Sequence, residues 1–190
     1  MKGSMRAKLG AVIFLLMVSA SAGVSSAQQS SPGAHPPPAT DVTAEDIQAT
    51  LKQEMSSGKA VTDTSIRVVD AGGHNVGIGA VYRLGPAKGS SASHDKVTEV
   101  YYMIEGAGTL VTGGTLVNPQ RRKDAAEVVT QVNGPGTSGT KIEGGVSRRI
   151  KAGDMVIIPA GTPHWWSEIE GSSMKYVVVR IDPSQVVTLK

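Results

Sequence analysis

Gly153-Asp154-Met155-Val156-Ile157-Ile158-Pro159-Ala160-Gly161-Thr162-Pro163-His164 is the stretch on which the reading of this chain turns. Gly-Asp opens a strand, four apolar residues cross a core, and Pro-x-Gly-x-x-His turns the chain so that a histidine heads the next strand. A second stretch, His94-Asp95-Lys96-Val97-Thr98-Glu99-Val100-Tyr101-Tyr102-Met103-Ile104-Glu105-Gly106, also sets ligand-type residues beside a turn. Strand side chains alternate between faces, so an inward Glu99 turns Tyr101 and Met103 inward with it. By the same rule His164 brings Trp166 and Glu168 to one face. An interior that holds His94, Glu99 and His164 beside aromatic residues suits a small molecule.

Outward from these stretches the texture is consistent. Short alternating segments at 65–69, 76–84, 98–104, 108–112, 148–151, 155–158, 164–169 and 175–181 are separated by Gly, Pro, Asn and Asp. Many short strands with turn-punctuated spacing predict a sandwich or a barrel. The 190 residues bound a single modest domain, and 23 Gly with only one Phe, two Trp and four Tyr argue against a helical bundle. There is no Cys, which excludes a disulfide scaffold, a thiolate metal site and a cysteine nucleophile. Residues 117–147 break the rhythm with Asn118-Pro119, the basic cluster Arg121-Arg122-Lys123 and Asn133-Gly134-Pro135-Gly136. They read as an insertion, either a solvated loop or a flap over a binding site.

The N-terminal third is of another kind. Lys2, Arg6 and Lys8 precede the apolar run Leu9 to Val18, and small residues follow, with cleavage-type sites after Ala22 and Ala27. Residues 1–27 therefore read as a secretory signal peptide, its apolar run too short to span a bilayer, and predict a periplasmic or secreted protein. The nominal charge of +3 belongs to this leader, because the basic residues outside it equal the 16 acidic ones. Nucleic-acid binding thereby loses its main support, and no membrane contact is expected after cleavage. Residues 28–40 (QQSSPGAHPPPAT) form a Pro-rich linker, and 41–60 a short helix. In that helix Thr43 and Asp46 make a capping box ahead of Ile47, Leu51 and Met55, spaced by four. Residues 61–190 are the barrel.

The two opening stretches resemble the paired motifs of the cupin superfamily. The second-motif pattern is met at Gly153, Pro159, Gly161 and His164, with Glu168 where Asn is usual. The first-motif pattern is met at His94, Glu99 and Gly106, with Ala92 in place of the first histidine. The resemblance implies an all-β fold, a single antiparallel jelly-roll barrel, with metal ligands at His94, Glu99 and His164. Two neutral imidazoles and one carboxylate can hold a divalent ion such as Fe, Mn, Zn, Ni or Cu and leave positions open. The missing ligand at Ala92 leaves either a three-ligand site or a vestigial, metal-free pocket. His74 is either a turn residue or its replacement.

Secondary expectations follow from position. Tyr101 and Glu168 are the candidate proton-handling catalytic residues, Tyr101 with the alternative of a core aromatic and Glu168 of a surface carboxylate. Met103 and Trp166 are expected in the substrate pocket, and Trp165 outward. One of Arg83, Arg148 and Arg180, if inward, would select a carboxylate. The resemblance implies a metal-dependent enzyme for a small organic molecule, of oxygenase or lyase type. A non-catalytic small-ligand binder with a vestigial metal site is the alternative. A homodimer is expected, through Val177–Val179 or the helix near Ile47.

Overall fold

The computed structural model of this chain describes residues 38–85 and 89–190. The expected leader and all but the last three residues of the expected linker lie outside the described residues. The first element is the helix α1 (Ala44–Ser56), opened by the capping box read from the sequence. Asp46 N–H donates to the Thr43 hydroxyl at 3.1 Å, and Thr43 N–H donates to the Asp46 carboxylate at 3.0 Å. Ile47 and Leu51 turn inward as their spacing requires, but Met55 is exposed and Glu54 takes the third buried position. No helix among the described residues is long and apolar enough to cross a membrane.

Among the described residues eleven strands follow: β1 (Val61–Asp70), β2 (Asn75–Leu84), β3 (Ser91–His94), β4 (Thr98–Thr112), β5 (Thr115–Val117), β6 (Gln120–Arg121), β7 (Gly136–Gly139), β8 (Lys141–Glu143), β9 (Val146–Lys151), β10 (Met155–Ile158) and β11 (His164–Asp182). Every pairing is antiparallel. Nine strands share one sheet, with β1, β2, β11, β3, β7 and β6 in order, while β4 joins β11 to β9 and β10; β5 and β8 pair apart. This is the expected all-β jelly-roll barrel with a short N-terminal helix.

The two longest strands hold the barrel together because each runs through both of its halves. The amino end of β11 pairs with β3 and the carboxyl end of β4; its carboxyl end pairs with β2 and the amino end of β4. Sequence reading splits each of them in two, and the split marks a real bend. Gly106 has φ +84°, and a Cβ there would fall 2.6 Å from the Ser173 carbonyl oxygen, so only glycine fits the turn. The β11 register slips opposite, between Glu170 and Lys175.

The largest apolar cluster contains Tyr101, Met103, Leu110, Val156, Ile158, Trp166, Met174, Tyr176 and Val178, and smaller ones lie under α1 and around Val68, Val97 and Val187. Residues 117–147, read from the sequence as an inserted loop, carry β6, β7, β8 and a π-helical turn, Val128–Asn133. β7 pairs with β3, which ties this segment to the strand that carries His94.

Candidate metal centre

His94 ends β3, Glu99 is the second residue of β4, and His164 begins β11, so three strands deliver one side chain each to the same end of the barrel. All three are buried. His94 Nε2 and His164 Nε2 each lie 3.5 Å from Glu99 Oε2, and the three ligand atoms all fall within 4.8 Å of one another. Ligands held about 2.1 Å from one ion at tetrahedral angles stand about 3.4 Å apart, so the donor set fits a divalent metal in spacing and in type. The ring centroids are 5.0 Å apart and the planes inclined by 47°.

Around this point the Glu99 carboxylate is hydrogen-bonded on both oxygens. Glu99 Oε2 accepts from the Tyr101 hydroxyl at 2.8 Å, and Oε1 accepts from Arg180 Nε at 2.9 Å. Arg180 also donates through Nη2 to Asp63 at 2.6 Å. Burial opposes ionisation of Glu99, but His94, Arg180, His164 and the Tyr101 hydroxyl outweigh it and hold the carboxyl well below the usual range. Burial, reinforced by His164, Arg122 and Arg180, lowers His94 to about 3 against the pull of Glu99. Burial lowers His164 in the same way. Both imidazoles are neutral at ordinary pH, the form that ligates metals. Burial and Glu99 raise the Tyr101 phenol well above its ordinary value, so it keeps its proton and acts as a donor.

The three groups open into a cavity of about 260 Å³, walled further by Asp63, Arg83, Ala92, Arg122, Asn133 and Tyr176. The barrel supplies Arg83, whose Nε donates to the Tyr176 hydroxyl at 3.0 Å. The inserted segment supplies Arg122 and Asn133, so it reaches the cavity in the manner of the flap reading. Ala92, two residues before His94 and opposite His164 in the β3–β11 pairing, puts a methyl group where the first-motif histidine would stand.

Not every expected residue arrives there. Glu168 is exposed and accepts from the Thr109 hydroxyl at 3.3 Å, because the β11 register slips between Trp166 and Glu168 and the strict alternation from His164 fails there. Met103 and Trp166 do turn inward, but into the apolar cluster, and neither is among the cavity's lining residues. Trp165 is half-buried, and its indole N–H donates to the Gly89 carbonyl at 2.9 Å. His74 sits in the turn between β1 and β2, where Asp70 accepts from the N–H groups of Gly72 and Gly73 and the Ala71 N–H donates to the His74 carbonyl. It lies outside the donor group, and of its two readings the turn residue is the one the geometry bears out. Of the three arginines, Arg180 is buried, Arg83 lines the cavity, and Arg148 is exposed and donates to Thr112. Asp63 and Tyr176 escaped the sequence reading. Alternation along β1 and β11 was the available signal for them, and it carries no absolute register without a fixed point.

The family model described as cupin matches residues 75–190. No curated protein matches the chain by sequence. Among solved structures, BH2720 from Bacillus halodurans is similar at 15% identity, over 77% of this chain and 84% of its own, with a TM-score of 0.44. The DMSP lyase DddQ from Ruegeria pomeroyi DSS-3 is similar at 15% identity, over 66% of this chain and 48% of its own, with a TM-score of 0.42. KdgF from Halomonas sp. is similar at 16% identity, over 67% of this chain and 83% of its own, with a TM-score of 0.40. With the family pattern matched from β2 to the last residue, the chain belongs to the cupin family.

Proposed function

We propose that this protein is a metal-dependent enzyme acting on a small organic molecule, in the periplasm or outside the cell. The observation that carries the proposal is the convergence of two neutral imidazoles and an ionised carboxylate on one point at the floor of a cavity. A bound divalent ion supplies Lewis acidity at that point. His94, Glu99 and His164 hold it, and Tyr101 fixes the orientation of Glu99 through its hydroxyl. Arg180 balances the carboxylate charge from behind, which keeps Glu99 ionised while it is buried. Arg83 and Arg122 give the cavity wall two cationic groups, which suits a substrate with a carboxylate or another oxyanion. The chemistry we assign is of oxygenase or lyase type.

One observation favours a second reading, a binding protein without catalysis: the fourth-ligand position is the methyl group of Ala92. Metal analysis of the purified mature protein separates the two. The enzyme reading expects stoichiometric metal that is lost on His94→Ala or His164→Ala. A metal-free native protein that also fails to take up added Fe²⁺, Mn²⁺, Co²⁺ or Zn²⁺ sinks it.

A further inference from the structure

The hydrogen-bond partners of the two histidines of the centre call for opposite tautomers. His164 Nδ1 stands 3.1 Å from the Thr162 carbonyl oxygen, which can only accept, so Nδ1 carries the proton and the Nε2 lone pair faces Glu99. That is the arrangement of a metal-ready imidazole, with its second nitrogen donating to a carbonyl. His94 is the reverse. Its Nδ1 stands 2.9 Å from Nη2 of Arg122, and a guanidinium can only donate. Nδ1 is therefore the acceptor, and the neutral ring carries its proton on Nε2, the nitrogen that points at Glu99.

The placement of Arg122 is built into the chain. Nη2 also donates to the Ser93 carbonyl at 2.8 Å, and Nη1 to the Ser138 hydroxyl at 3.4 Å. Arg122 N–H donates to the Gly136 carbonyl at 3.0 Å. Gly136 is paired with His94 across β3 and β7, and a Cβ at Gly136 would fall 2.0 Å from Nη2. The β7 strand thus has a glycine where the guanidinium crosses it. The neighbouring Arg121 points elsewhere, to Asp95 on the exposed side.

We propose that Arg122 opposes metal capture by His94, holding the ring in the tautomer whose proton sits on the ligating nitrogen. For Nε2 to bind an ion while the ring stays a neutral imidazole, its proton must move to Nδ1, where it would confront the Arg122 donor, so the guanidinium must first turn away. A small oxyanion in the cavity is a competing partner for that guanidinium, and its binding would favour metal uptake. The inference rests on the metal-centre reading above.

Two measurements test it. Imidazole ¹⁵N spectra of the metal-free native protein at neutral pH should show His94 protonated at Nε2 and His164 at Nδ1; His94 protonated at Nδ1 overturns the proposal without any variant being made. Co²⁺ titration, followed by its visible absorption, then compares the native protein with Arg122→Met, which keeps the aliphatic stem, and Arg121→Ala, which removes a neighbouring charge that does not touch His94. Arg122→Met should bind Co²⁺ about tenfold more tightly, the scale on which partners of metal ligands act, with Arg121→Ala close to native. Unchanged or weaker binding by Arg122→Met, or an equal gain in Arg121→Ala, overturns it. If the tautomers are as stated and no form takes up Co²⁺, the metal centre itself falls and the antagonism with it, while the tautomer assignment survives.

Discussion

Both oxygens of Glu99 are engaged: Oε2, which faces the imidazoles, accepts from Tyr101, and Oε1 accepts from Arg180. The carboxylate can stay ionised in a buried site because Arg180 is there, and Arg180 in turn is held by Asp63. Removing the cation alone would leave Glu99 buried and uncompensated, which costs far more than an exposed ion pair is worth. Arg180→Met should therefore destabilise the protein by about 3–5 kcal/mol in denaturant titration. A loss under about 1 kcal/mol would mean that the pair is not holding the floor of the site. At this scale the three donors were readable from the sequence, because motif spacing is independent of strand register. The cations were not. A one-residue register error exchanges the faces of a strand, and nothing local distinguishes the buried Arg180 from the exposed Arg148. Glu168 shows the complementary failure, since a bulge interrupts an alternation that was otherwise sound.

The helix α1 buries a carboxylate that sequence periodicity assigns to solvent. Glu54 packs on the face that also carries Leu51, and burial, with some help from Asp63, raises its pKa from 4.5 to about 7, neither carboxyl oxygen having a hydrogen-bond partner. A carboxyl raised in the folded state binds its proton more tightly there than in the unfolded chain. Its contribution is complete below 4.5 and is lost as pH rises through about 7. The native protein should lose about 1–2 kcal/mol of stability between about pH 5 and pH 8 through this group. Glu54→Gln should abolish that loss, read as a flat pH profile of the melting temperature over the window. An unchanged slope in the variant would assign the effect to another group. Helix existence and capping were plain from Thr43 and Asp46. The substitution of Glu54 for Met55 on the inner face was not, because spacings of three and four are both helical and only tertiary packing chooses between them. The four-residue strand Ser91–His94 was also missed, as it has no apolar alternation to announce it.

Over the whole molecule, the outer face of the sheet is covered unevenly. α1 lies against Ala80, Tyr82, Ile66 and Ile104. Farther along the same face Tyr102, Met155 and Ile157 remain exposed at 48%, 66% and 69%. They are neighbours by register, Met155 opposite Tyr102 and Ile157 opposite Val100, and β10 pairs with β4 alone. Ile47 packs inward against the Leu51 cluster. A second copy of this chain, seated on the β10 edge, is the occupant we expect, and the double substitution Met155→Lys, Ile157→Lys should convert a dimer to a folded monomer in sedimentation. A native chain that sediments as a monomer at high concentration refutes this.

The cavity has two kinds of wall. The donors stand on strands fixed by ladder hydrogen bonds, whereas Arg122, Val128 and Asn133 lie between strands in the segment inserted between β5 and β9. Ligand preference can therefore diverge by edits confined to that insertion, leaving the strands that bear the chemistry untouched. Two chains with identical barrels and different insertions would then share a reaction centre and differ in what they admit to it.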